Sequence, residues 1–150
     1  MNFIAAFQGQ ELIAHQYLPN VKTINNTHYL DFVASVLHPE VVKRRIRSPL
    51  ILQDNAGPHR HHDVKAFYTR HQWTVLKHPP YSPLLSPPDF DGFSFIKRPN
   101  KGIRLTDVTH LKTTYEMTIN ELNNQKSFTG IQKLPERWEK VIQVMGDYFQ

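Results

Sequence analysis

At 150 residues the chain is long enough to bury the core of one domain. Apolar residues make up 39% and charged residues 21%, a globular rather than a disordered composition. Eighteen basic against 13 acidic residues give a formal net charge of +5, which favours polyanionic partners. With no cysteine, disulfides and thiolate zinc sites are excluded. No apolar run approaches the length of a membrane span.

In chain order, NFIAAF (residues 2–7) and ELIAHQYL (11–18) read as two strands joined by a hairpin turn at Gln8-Gly9-Gln10. Asn26 or Thr27 is expected to cap a helix carrying Tyr29, Leu30, Val33, Val36 and Leu37 at helical spacing, with Pro39 stopping it. KRRIR (43–47) reads as a solvated basic connector. Leu50, Ile51 and Leu52 are too apolar for a sheet edge and are placed centrally. Pro58 suits the first turn of a helix burying Val64, Phe67, Tyr68 and His71, and WTVLK (73–77) is a further strand. This order predicts an α/β fold with a mixed sheet flanked by helices. HPPYSPLLSPPDF (78–90), with five prolines, predicts a stiff irregular loop. Helices are predicted from about Asp89 to Lys97 and over 108–122, the latter with Leu111, Tyr115, Ile119 and Leu122 on one face. In the tail, Leu134, Trp138, Val141, Ile142 and Met145 recur at helical intervals, as a core-packing stripe would.

The segment LILQDNAGPHRHH (50–62) ends an apolar strand on an acid. Asp54 follows that strand and Asp89 follows the loop after the next one. In an open α/β sheet, ligands gather outside the carboxyl ends of the strands, so both acids are candidates for one crevice. Two carboxylates there would repel unless a cation separated them, and Mg²⁺ takes such hard oxygen ligands. Paired ions about 3.5–4 Å apart support phosphoryl transfer. The plainer alternative makes Asp54 a turn-former and Asp89 a helix cap.

LQDNAGPH, then HPPYSPLLSPPDF with residues 55–88 between the two acids, resembles the catalytic core of mariner-type transposases, as also found fused to SET domains. IKRPNKGIRL (96–105) and KLPERWEKVIQVMGDYF (133–149) resemble two further family segments in the same order. The resemblance implies an RNase H-like fold and a DDD site for two Mg²⁺ or Mn²⁺ ions, with Asp54 and Asp89 as the second and third metal ligands. Asn55 and His59 belong to the family turn, where an orienting role is implied. It also implies cleavage of transposon-end DNA, joining to a TA target, action as a homodimer and a nuclear location.

The family's first strand and its Asp, and its helix-turn-helix units, have no counterpart here, so the chain is expected to be a truncated catalytic domain. Met1 would then match an internal residue of the family's second strand. In the family's 3-2-1-4-5 order the absent strand is the central one, between NFIAAF and LILQD. Unpaired buried backbone groups there would cost roughly 1–3 kcal/mol each, against a total stability of about 5–15 kcal/mol. The expectation is a chain inactive by itself, with weakened metal binding. The alternatives are a non-catalytic module that binds DNA or full-length transposase, and a stand-alone nuclease. The turn region departs from the family at Leu84, Pro88, Asp91 and Gly92.

His59, His61 and His62 with Asp63 offer an incomplete zinc set, with His59, His62 and Asp63 expected on one helix face; a solvated helix start is the simpler reading. Lys97, Arg98, Lys101 and Arg104 form a basic patch suited to phosphate contact or to plain solvation.

Overall fold

The computed structural model describes residues 1–77, 92–98, 101–102 and 107–143, with Val141 described by its backbone only. The proline-rich loop, Asp89, Arg104 and Met145 lie outside the described residues. The chain divides into two compact units, one of residues 1–6 and 13–81, the other of residues 7–12 and 82–150.

Strands β1 (Asn2–Gln8) and β2 (Glu11–Leu18) form the expected hairpin, with Gly9 at φ 58° supplying the left-handed turn residue. In the first unit, α1 (Asn26–Asp31) is capped one residue earlier than expected, by Asn25. Asn25 is extended and its side chain accepts the His28 N–H at 2.9 Å, while His28 Nδ1 accepts the Asn25 N–H at 3.2 Å. The two groups form a reciprocal capping box with histidine in the third position.

Pro39 does not stop this helix. The chain runs through a π-helical segment (Phe32–Leu37) into α2 (His38–Lys43), with Pro39 in α2's first turn. The His38 N–H reaches back five residues to the Val33 carbonyl. Proline lacks an N–H and clashes with the carbonyl four residues back, and the wider π turn ahead of it accommodates both effects. Phe32, Val33, Leu37 and Val41 are thereby kept on the buried side.

The next helical stretch is split into α3 (Gly57–Arg60) and α4 (His62–Arg70) by His61, whose backbone is extended at ψ 141°. Val64, Phe67 and Tyr68 are buried as their spacing predicts, and His71 caps the end of α4 half-buried. Together with Ile4, Ala14, Tyr29 and Trp73 they complete the first unit's core. Full burial of each large apolar side chain contributes about 1.5–3 kcal/mol.

The strands confirm a mixed α/β arrangement but not a central position for LIL. Strand β3 (Leu50–Ile51) pairs in parallel with β4 (Thr74–Val75), as a two-stranded sheet separate from β1–β2. Leu50 is 67% exposed. Among the described residues no strand pairs with the second edge of β3, and of its two side chains only Ile51 packs against the core.

In the second unit, α5 (Phe93–Lys97) and α6 (Val108–Asn124) pack together, with Ile96 and Ile119 buried, and Leu12, Phe128 and Leu134 buried elsewhere in this unit. Asn123 donates to the Leu12 carbonyl at 3.0 Å and accepts its N–H at 2.9 Å, standing in for a strand partner. Phe7 meets Phe128 and Phe93 edge-on, at 5.1 and 6.3 Å between ring centroids. After a 3₁₀ turn (Ile131–Lys133) comes α7 (Leu134–Gln143). Leu134 is buried, but Trp138 and Ile142 are 43% and 76% exposed, so the tail stripe is not a core face throughout.

Candidate active site

Leaving β3, which ends at Ile51, the chain turns at Asp54. Asp54 Oδ1 accepts the Ala56 N–H at 3.0 Å, closing an Asx turn that feeds the start of α3 with Pro58 in its first turn. His59, one turn on, sets Nδ1 2.7 Å from the same Oδ1 and 3.2 Å from the Asp54 carbonyl oxygen. The Asp54 side chain is 48% exposed, and among the described residues Oδ2 has no hydrogen-bond partner. One oxygen is thus held by the turn, while the other is unbonded among the described residues.

Behind the turn lies a polar layer that sequence reasoning missed. Gln53 Oε1 accepts from the hydroxyls of Tyr29 and Tyr68, at 3.1 and 3.0 Å, and its amide donates to the His59 carbonyl at 3.5 Å. The Tyr29 ring also packs on the His59 imidazole, 4.4 Å between centroids. Burial raises the phenol pKa of Tyr29 well above 10.0, aided by Tyr68 and by the Asp54 charge. Burial likewise raises that of Tyr68, against a lowering hydrogen bond from Tyr29. The available signal was two tyrosines at buried helix positions, each needing a partner for its hydroxyl, and a glutamine beside the acid.

Asp54, Asn55 and His59 all line one open cavity of about 930 Å³. Its rim also holds Arg60, Lys65 and Lys77, while Asp54 is the single acid among the described lining residues. Three cations against one carboxylate make the cavity attractive to a polyanion. These cations come from α3, α4 and the end of the β4 segment, and only folding gathers them.

The other candidates are placed differently. Lys97 Nζ lies 5.8 Å from the Phe93 ring centre and Arg98 lies 4.7 Å from that of Phe95. Lys101 is exposed in a turn. All three belong to the second unit. The expected face of His59, His62 and Asp63 does not form, because His61 breaks the helix and His59 turns to Asp54. Instead His61, His62 and Asp63 cluster, with His62 Nε2 3.0 Å and His61 Nδ1 3.6 Å from Asp63 carboxylate oxygens. His61 Nδ1 accepts the Asp63 N–H at 3.2 Å, so this group caps α4.

No family model matches the chain. It is 29% identical over 145 residues to the Mariner Mos1 transposase of Drosophila mauritiana, covering 93% of this chain and 42% of that protein. It is 27% identical over 144 residues to the histone-lysine N-methyltransferase SETMAR of Homo sapiens, covering 92% of this chain and 21% of that protein. The chain thus spans less than half the length of these relatives. The structure of the Mos1 transposase catalytic domain with Raltegravir and Mn matches with a TM-score of 0.88 at 26% identity, covering 99% of this chain and 76% of that one. The Mos1 paired-end complex with the left transposon end matches with a TM-score of 0.89 at 27% identity, covering 99% and 44%. The chain is therefore a homologue of the mariner-type transposases and has the RNase H-like fold of their catalytic domain.

Proposed function

We propose that this chain is the part of a mariner-type transposase catalytic domain that carries the second and third metal-binding acids, Asp54 and Asp89, and that it does not cut DNA by itself. The carrying observation is the cavity at the end of β3, where Asp54 is the single acid among the described lining residues. Its half-exposed carboxylate fits Mg²⁺ or Mn²⁺, which bind through one or two carboxylates plus substrate phosphates. Mos1 catalytic-domain structures contain Mn or Mg, which supports this choice of metal. Bound there, the ions would stabilise charge on phosphoryl oxygens during cleavage and joining. Asp54 would supply one ligand, held in place by the Ala56 N–H and by His59; Asn55 would share in orienting the turn.

The substrate would be transposon-end DNA, later joined to a TA target, in the nucleus and as a homodimer. Mos1 forms a paired-end complex with a transposon end, which supports the choice of DNA. Lys97, Arg98, Lys101 and Arg104 would meet its backbone. The purified chain is expected to leave a transposon-end duplex intact in Mg²⁺ or Mn²⁺. Cleavage that disappears in Asp54→Ala would overturn the inactive reading. Mn²⁺ binding should be weak and should be lost in Asp54→Asn with Asp89→Asn; unchanged binding in that variant would remove the acids from the site.

The excess of cations around Asp54 favours a second reading, a non-catalytic module that binds DNA or full-length transposase. Salt-sensitive DNA affinity that survives Asp54→Ala with Asp89→Ala would select it.

A further inference from the structure

We propose that the first unit carries a separate binding site for a phosphate group, in the hollow between the end of α2, the loop leading into β3, and the end of α4. The hollow measures about 320 Å³ and is lined by His38, Arg45, Arg47, Ser48, His71 and Trp73 among others. It adjoins Ser48 and Pro49, which precede β3, whereas Asp54, Asn55 and His59 of the other cavity follow that strand; Trp73 alone lines both. The basic groups of the two do not overlap, and this site stands independently of the nuclease reading.

Four basic side chains and no acid line the hollow. The nearby Glu40 is already engaged by Arg44 at 3.4 Å and by Lys43 at 3.9 Å. Among the described residues, neither Arg45 nor Arg47 has an ion-pair partner. A helix dipole accounts for cations capping α2 and α4, such as Arg44 and His71, but not for Arg47 beyond them. Arg45 and Ser48 both hold left-handed backbone, at φ 54° and 47°, which neither residue type favours; these conformations set the loop at the rim of the hollow.

The floor is aromatic. The His38 and His71 rings lie 4.3 Å apart, and His38 sits 6.0 Å from the Trp73 ring. Burial, then His38 and Arg70, lower the proton affinity of His71. A phosphate matches the forked guanidinium donors of Arg45 and Arg47 and the Ser48 hydroxyl that line the hollow.

Titration of the whole chain with inorganic phosphate near about pH 6, where imidazoles titrate, should shift the His38 and His71 ring NMR signals saturably, with His59 unmoved. Arg45→Gln with Arg47→Gln, both exposed positions, should weaken binding at least roughly tenfold. Absence of saturable shifts, or equal binding in the double variant, would overturn the site. A short DNA duplex that displaces phosphate from these signals assigns the group to a nucleic-acid backbone. Binding undisturbed by the duplex assigns it to free phosphate; either result upholds the site.

Discussion

The hydroxyls of Tyr29 and Tyr68 lie 3.0 Å apart, and both approach Gln53 Oε1. Three oxygens in mutual contact share two hydroxyl protons, so one of the contacts has no hydrogen in it. Removing either hydroxyl leaves a complete hydrogen bond behind, whereas removing both strands the Gln53 oxygen. Tyr29→Phe and Tyr68→Phe should each cost less than about 1 kcal/mol in urea unfolding, and the double change about 1–3 kcal/mol beyond their sum. Strict additivity would show that the three groups do not act as one network.

The same tyrosines make stability depend on pH at the alkaline end. Both folded pKa values are raised above 10.0, chiefly by burial, so the native state holds its protons longer than the unfolded chain. Their contribution is fully present below pH 10.0 and is lost as pH rises through the folded values. Melting temperature should fall from about pH 10 upward, and less steeply in Tyr29→Phe. Parallel curves for the two proteins would contradict this.

Gly92 owes its place to Phe7. A Cβ at Gly92 would stand 2.5 and 2.8 Å from Cζ and Cε1 of that ring. The Gly92 backbone is helical, with φ −57°, so no conformational need requires glycine. Gly92→Ala should destabilise the fold by about 1–3 kcal/mol through overpacking. In a Phe7→Leu background the sign should reverse, with alanine favoured by up to about 1 kcal/mol as the better helix former. Thermal unfolding of the four proteins in this cycle decides the matter.

Arg60 and Lys65 sit on the Asp54 cavity, at positions where sequence reading assigned no function. If DNA phosphates enter there, Arg60→Gln with Lys65→Gln should weaken duplex binding and reduce the salt slope of log affinity by about 2. Fluorescence anisotropy at several salt concentrations measures both. An unchanged slope would place the phosphates elsewhere.

Local pattern was enough wherever an element's neighbours lie close in the chain. The alternation in ELIAHQYL placed β2 at residues 11–18, and the spacing of Val64, Phe67 and Tyr68 marked the buried face of α4. The wording of LQDNAGPH led to the family and fold class that the homologous structures share. It also drew Asp54, Asn55 and His59 to one turn, and the structure lines one cavity with all three. Tertiary structure alone decided what depends on partners distant in sequence. Leu50 is exposed while its neighbour Ile51 packs on the core, because successive strand residues face opposite sides and apolarity does not say which side is covered. The helix runs past Pro39 because a π turn re-registers the hydrogen bonds around the missing N–H. Gln53 acquires its role from tyrosines 24 residues before and 15 residues after it. Periodicity records which way a side chain faces, while only the folded chain determines what it meets there.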